Sequence, residues 1–166
     1  MKVERLSANG CKLTEVFDSD TFSELSTLID SFTPSITRYQ WGIAREVFFV
    51  EGSLKDRIIH PRLVTARSVP TTVELWRDYP GYTNAKHLDD PMVHNILIVY
   101  FGDSDEGMGT TYWEDGKEYS VEYKKNTGLL LTNSNTVYHG MTGAVTGVDY
   151  RRSLYINWRD IDGQTS

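Results

Sequence analysis

His87-Leu88-Asp89 sets the reading of this 166-residue chain. On extended backbone, successive side chains alternate between faces, so the His87 imidazole and the Asp89 carboxylate point the same way. Two such donors from one strand can approach one cation. A second imidazole stands downstream, in Val137-Tyr138-His139-Gly140. Two imidazoles and one carboxylate fill one face of an octahedral ion and leave its other positions open, the donor set of non-haem Fe(II) centres. Asp90 adjoins Asp89 in sequence, so on a strand it faces away from His87 and is set aside as a ligand. His94 reads as a surface or supporting histidine, and His60, before Pro61, as a loop residue.

Working outward, Arg151-Arg152-Ser153 begins twelve residues after His139, in an apolar strand. Arg151 and Ser153 share a face and Arg152 takes the other; a one-residue bulge would reverse the choice between the two arginines. A planar guanidinium beside a hydroxyl makes a receptor for a carboxylate, which is costly to bury unless paired and hydrogen-bonded. Tyr155 and Asn157 continue the Arg151 face.

His-x-Asp, a distal His and Arg-x-Ser, in that order over roughly residues 73–158, resemble the Fe(II)/2-oxoglutarate-dependent dioxygenases of the compact, prolyl-hydroxylase-like or phytanoyl-hydroxylase-like kind. The segment before them resembles nothing recognisable. The resemblance implies Fe(II) on His87, Asp89 and His139. It implies 2-oxoglutarate with its distal carboxylate on Arg151 and Ser153, Tyr100 and Asn95 as further contacts, and O₂ as cosubstrate. The implied reaction oxidises a substrate, by hydroxylation or a related outcome, and releases succinate and CO₂. Asp89 stands where related halogenating enzymes carry a small residue, so hydroxylation is expected. The alternative is a non-oxygenase cupin-type protein that binds a metal or a sugar; such a protein has no need of the Arg-x-Ser element.

Composition bounds the partners. The net charge of −6 argues against nucleic acid and anionic membranes as general partners, because counterion-release binding needs basic patches. The Arg-x₅-Arg pattern of alkylated-nucleic-acid demethylases is also missing. A small metabolite or a peptidyl side chain is the expected substrate. Cys11 is the only cysteine, which fits a reducing cytoplasm. The first residues lack the apolar core of a signal peptide, and the longest apolar run, Ile96 to Phe101, is too short to span a bilayer. Oligomeric state is not written in the sequence.

One domain over residues 1–166 is expected: a mainly β fold, with residues 1–70 as an N-terminal α/β support and 71–160 as a jelly-roll core. Phe22, Leu25, Leu28, Ile29 and Phe32 recur at helical spacing. They predict a helix over about 20–31, with Thr21 and Glu24 as a capping box. A second short helix is expected over 53–59 and a strand over Cys11–Phe17. Val47–Val50 reads as buried strand. From Thr71 the pattern turns β, with strands expected at 71–79, 82–89, 95–101, 110–113, 117–123, 129–131, 137–142 and 151–158, and a Gly-rich acidic loop over 102–109. Many short strands behind a helical buttress suggest a sandwich or barrel. The resemblance narrows that to the double-stranded β-helix, a jelly roll of the cupin kind.

Overall fold

Apolar residues at helical spacing build helix α1 (Ser19–Ser31), whose Leu25 and Ile29 are fully buried. The structure is a computed structural model and describes residues 1–59, 68–103 and 105–160. The Thr21/Glu24 box does not form. Asp18 is the N-cap instead, accepting from the Thr21 N–H at 2.8 Å, and Glu24 pairs with Arg57 of α2 (Gly52–Ile58). A carboxylate at that position satisfies an orphan N–H and meets the positive end of the helix. His60 lies outside the described residues.

The strands are β1 (Lys2–Arg5), β2 (Gly10–Thr14), β3 (Ile36–Gln40), β4 (Ile43–Phe49), β5 (Ser68–Asp78), β6 (Val93–Tyr100), β7 (Asp105–Glu114), β8 (Lys117–Tyr123), β9 (Thr127–Thr132), β10 (Tyr138–Met141) and β11 (Arg151–Asp160). Eight of them form one antiparallel sheet in the order β1-β2-β9-β6-β11-β5-β4-β3, and β10-β7-β8 form the sheet that faces it.

Three expectations change. β1 and β3 have no strong apolar alternation and escape sequence reading; both are edge strands made almost wholly of exposed residues. The acidic stretch 102–109 is partly strand, because β7 starts at Asp105 and bulges before Thr110. Residues 82–89 are not a regular strand. They bend at Lys86 and hydrogen-bond to β10 at Asn84 and His87, with an isolated bridge between His87 and His139.

The large sheet separates two cores. On its outer face Leu75, Leu97, Val99, Leu154 and Trp158 pack under α1 and α2, with Phe22 stacked on Phe101 at 4.8 Å. On its inner face Ile96, Ile98, Leu129 and Leu131 meet Met108, Tyr112 and Val121 of the small sheet. Burying an aliphatic side chain contributes about 1.5–3 kcal/mol, so both layers hold the sheets in register. Alternation on β5 divides its residues between the two sides: Val73 and Leu75 face the helices, while Glu74 and Trp76 line the interior. No helix among the described residues is long and apolar enough to cross a membrane.

Candidate active site

Pairing of the 84–87 segment with β10 brings His87 and His139 together. The two residues exchange backbone hydrogen bonds of 2.9 and 3.0 Å, and Met141 N–H reaches the Asn84 carbonyl at 2.8 Å. This close approach requires Gly140: a Cβ there would stand 2.8 Å from the Asn84 oxygen and 3.0 Å from backbone atoms of Ala85 and Lys86. The imidazole centroids are 4.4 Å apart. Asp89 reaches both rings, with Oδ1 3.7 Å from His87 Nε2 and Oδ2 3.6 Å from His139 Nε2. One donor atom from each of the three residues lies within 4.8 Å of the others. Leu88, between His87 and Asp89, turns outward and is more exposed than either.

The donor chemistry fits a divalent ion. His87 Nδ1 lies 2.8 Å from the Ala85 carbonyl oxygen. A carbonyl can only accept, so Nδ1 carries the proton and Nε2 keeps its lone pair for the centre. Asp89 Oδ2 is buried and accepts no hydrogen bond from the described residues. A carboxylate oxygen in that position is costly unless a cation or a donor meets it. Burial pushes the His139 imidazole down to about 4, against the pull of Asp89, so it is neutral at pH 7 as a ligand must be. His87 is shifted the other way, raised chiefly by its interaction with Asp89.

These residues open into a cavity of about 370 Å³ that also reaches Arg151. Arg151 comes from β11, where the register is regular from residue 151 to 157, so no bulge exchanges it with Arg152. Arg151 is 1% exposed; its Nε–H donates to the Met108 carbonyl at 2.7 Å, and Nη1 reaches Ser153 Oγ at 3.3 Å and Asp78 Oδ2 at 2.9 Å. Arg152 points outward and pairs with Asp30. Tyr155 and Asn157 follow Arg151 along the cavity wall, and Tyr155 stacks on Trp76 at 4.6 Å. Asn157 Oδ1 is buried without a hydrogen-bond partner among the described residues.

The structure does not bring Tyr100 and Asn95 to the cavity surface. The Tyr100 hydroxyl donates to Thr110 Oγ1 at 2.6 Å, and its ring lies beneath the Arg151 guanidinium at 5.2 Å, so it backs the arginine. Asn95 lies an odd number of residues from Ile98 and Tyr100 and therefore on the other face of β6. Asp90 faces away from the donors and pairs with Arg159 at 3.6 Å. His94 is exposed, and its carbonyl accepts from Asn133 N–H.

Sequence reading missed four charged residues of the cavity wall, Arg38, Arg45, Glu74 and Arg159, and the buried Asp78 behind it. Arg45 and Asp78, both buried, form a two-pronged pair beside Arg151. Arg38 grips Glu74 through two 3.0 Å hydrogen bonds. The available signal was the alternation Thr72-x-Glu74-x-Trp76-x-Asp78 opposite Val73 and Leu75, a polar face on a strand whose other face is apolar.

No family model matches the chain, and no curated protein matches it in sequence. Solved structures do match in fold. A 2OG-Fe(II) oxygenase family oxidoreductase from Burkholderia pseudomallei is 12% identical, with a TM-score of 0.72 over 92% of this chain and 85% of that one. A prolyl hydroxylase from Trichoplax adhaerens, in complex with a hypoxia inducible factor peptide fragment, is 14% identical, with a TM-score of 0.70 over 93% and 84%. HygX from Streptomyces hygroscopicus, with nickel, 2-oxoglutarate and hygromycin B bound, is 10% identical, with a TM-score of 0.70 over 93% and 84%. What this chain shares with them is the architecture, the double-stranded β-helix of the 2OG-Fe(II) oxygenases.

Proposed function

We propose that the protein is an Fe(II)- and 2-oxoglutarate-dependent oxygenase. The observation that carries this reading is a single cavity with two chemically distinct ends: the converging donors of His87, Asp89 and His139, and the buried Arg151. When bound, the iron and the 2-oxo acid would supply, with O₂ as the oxidant, an oxidative decarboxylation in which one oxygen atom of O₂ enters succinate as CO₂ leaves and the other is used to oxidise the substrate. The chain's own work is positional. His87, Asp89 and His139 offer three donors on one side of the ion and leave the cavity side for other ligands. Arg151 receives the distal carboxylate; Ser153, which lies off the cavity wall, accepts from Arg151 Nη1, and Tyr100 supports Arg151 from behind. The Trp76–Tyr155 stack walls the space between the ends and limits water there. Charge also fits: Arg45 and Arg151 outnumber Asp78 by one, so a carboxylate arriving there meets net positive charge.

The substrate is a small metabolite or a peptidyl side chain. Asn157 Oδ1 favours one that brings a hydrogen-bond donor, since an unpaired buried acceptor costs about 1–3 kcal/mol. The similar folds carry both kinds of ligand, a peptide fragment in one and hygromycin B in another. A buried arginine in the cavity weighs against a sugar-binding cupin.

Anaerobic addition of Fe(II) and 2-oxoglutarate tests the reading. A weak visible charge-transfer band should appear, and Arg151→Ala should lose it at the same ligand concentration. Succinate should form on admission of air. A protein that binds iron but never develops the band would refute the assignment. Succinate release across a metabolite and peptide library would then identify the substrate.

A further inference from the structure

Arg45, Asp78 and Arg151 occupy one row across three neighbouring strands. In the pairing register Asp78 of β5 stands opposite Arg45 of β4 on one side and opposite Arg151 of β11 on the other. All three are 5% exposed or less. Asp78 Oδ2 accepts from Arg45 Nη2 at 3.0 Å and from Arg151 Nη1 at 2.9 Å, while Oδ1 accepts from Arg45 Nε–H. Arg45 Cζ also lies 3.8 Å from the Trp76 ring centroid and 4.5 Å from that of Tyr82, within cation–π reach of both. Arg151 alone with Asp78 would be a neutral pair with nothing left over for a ligand. Arg45 changes that balance by taking the larger share of the carboxylate.

We propose that Arg45 is a positioning residue for the dicarboxylate end of the cavity: by engaging Asp78 it leaves the charge of Arg151 available to an incoming carboxylate, and so makes the site selective for dianionic 2-oxo acids. The proposal rests on the oxygenase reading above. In a buried setting, removing one partner of a charged cluster is felt by every other member. Loss of Arg45 therefore lets Asp78 neutralise Arg151. Loss of Asp78 has the opposite sign, because both guanidiniums are then unopposed. A purely structural salt bridge predicts no such inversion.

The test compares two 2-oxo acids on Fe(II)-loaded protein, by anaerobic calorimetry: 2-oxoglutarate, and 2-oxobutanoate, which keeps the chelating end and lacks the distal carboxylate. Wild type should prefer 2-oxoglutarate. Arg45→Gln should weaken 2-oxoglutarate by at least about tenfold and leave 2-oxobutanoate within about threefold, as for the loss of a charge acting on one end only. Asp78→Asn should tighten 2-oxoglutarate by about tenfold, and Arg45→Gln/Asp78→Asn should return it near the wild-type value. Thermal denaturation identifies a variant that has not folded, and Asp78→Asn decides the matter even if Arg45→Gln does not fold. Equal weakening of both acids in Arg45→Gln, or weaker or unchanged 2-oxoglutarate binding in Asp78→Asn, would overturn the proposal. If wild type binds Fe(II) but neither acid, the oxygenase reading itself falls. If it binds both acids equally, the reading stands and the selective role of this row does not.

Discussion

The two ends of the cavity are built on opposite terms. At the donor end, Asp89 faces the rings of His87 and His139 across 3.6–3.7 Å, too far for hydrogen bonds, and Asp89 Oδ2 and His139 Nδ1 are buried without partners among the described residues. At the arginine end, Asp78 accepts from two guanidiniums, and Arg151 also bonds to Met108 and Ser153. One end is left unsatisfied by the protein, and the other is already tied together. Binding divides accordingly. The donor end gains stability from an ion that the folded chain holds and the unfolded chain does not. The arginine end is rigid beforehand and loses little freedom when a carboxylate arrives.

Separating the ends by mutation gives the largest expected effects. Asp89→Ala should raise the Kd for Fe(II) by more than about a hundredfold, beyond the range seen for outer-shell changes, as read by competition with a chelator. If iron still bound tightly, the contrast between the ends would be broken at once. Arg151→Gln should cost about a hundredfold in 2-oxoglutarate affinity while leaving the Fe(II) affinity nearly unchanged; a parallel loss of iron would mean that the ends are one unit. Metal addition should stabilise the donor end. At about a hundred times Kd, Fe(II) should add about 2.7 kcal/mol, seen anaerobically as a rise in Tm of about 5–10 °C. 2-Oxoglutarate without metal should raise it less. The smallest effect belongs to Arg152→Gln. Its pair with Asp30 is partly exposed, so stability should change by less than about 1 kcal/mol and binding at either end not at all.

The donor end was legible in the sequence and much of the arginine end was not. His87 and Asp89 are two apart and their side chains do share a side, although the backbone there forms an isolated bridge rather than the expected strand. His139 and Arg151 were found by pattern as well. Arg45 and Asp78 were missed because their relation is a matter of register: they are 33 residues apart, and Asp78 and Arg151 are 73 apart. The alternation from Thr72 to Asp78 hints at a polar face on β5, but charges occur on both faces of the β4–β5 pair, Glu46 opposite Arg77 as well as Arg45 opposite Asp78, so it does not say which of them face inward. The cap of α1 shows the limit on a smaller scale. Asp18 and Thr21 both suit an N-cap, and only the bond from Thr21 N–H to Asp18 decides between them. Asn95 lies off the cavity wall for a plain geometric reason, since strand parity sends it to the helix side of β6.

Gly140 gives the donor end a mechanical character. The loop bearing His87 rests directly on the backbone of β10 at this residue, with no room for a methyl group between them. Any side chain there would act as a wedge, lifting one imidazole away from the other while touching neither. The bite of the centre is therefore set by the residue beside His139 as much as by the histidines themselves, and a chain could keep every donor and still lose its grip on the ion through one added carbon.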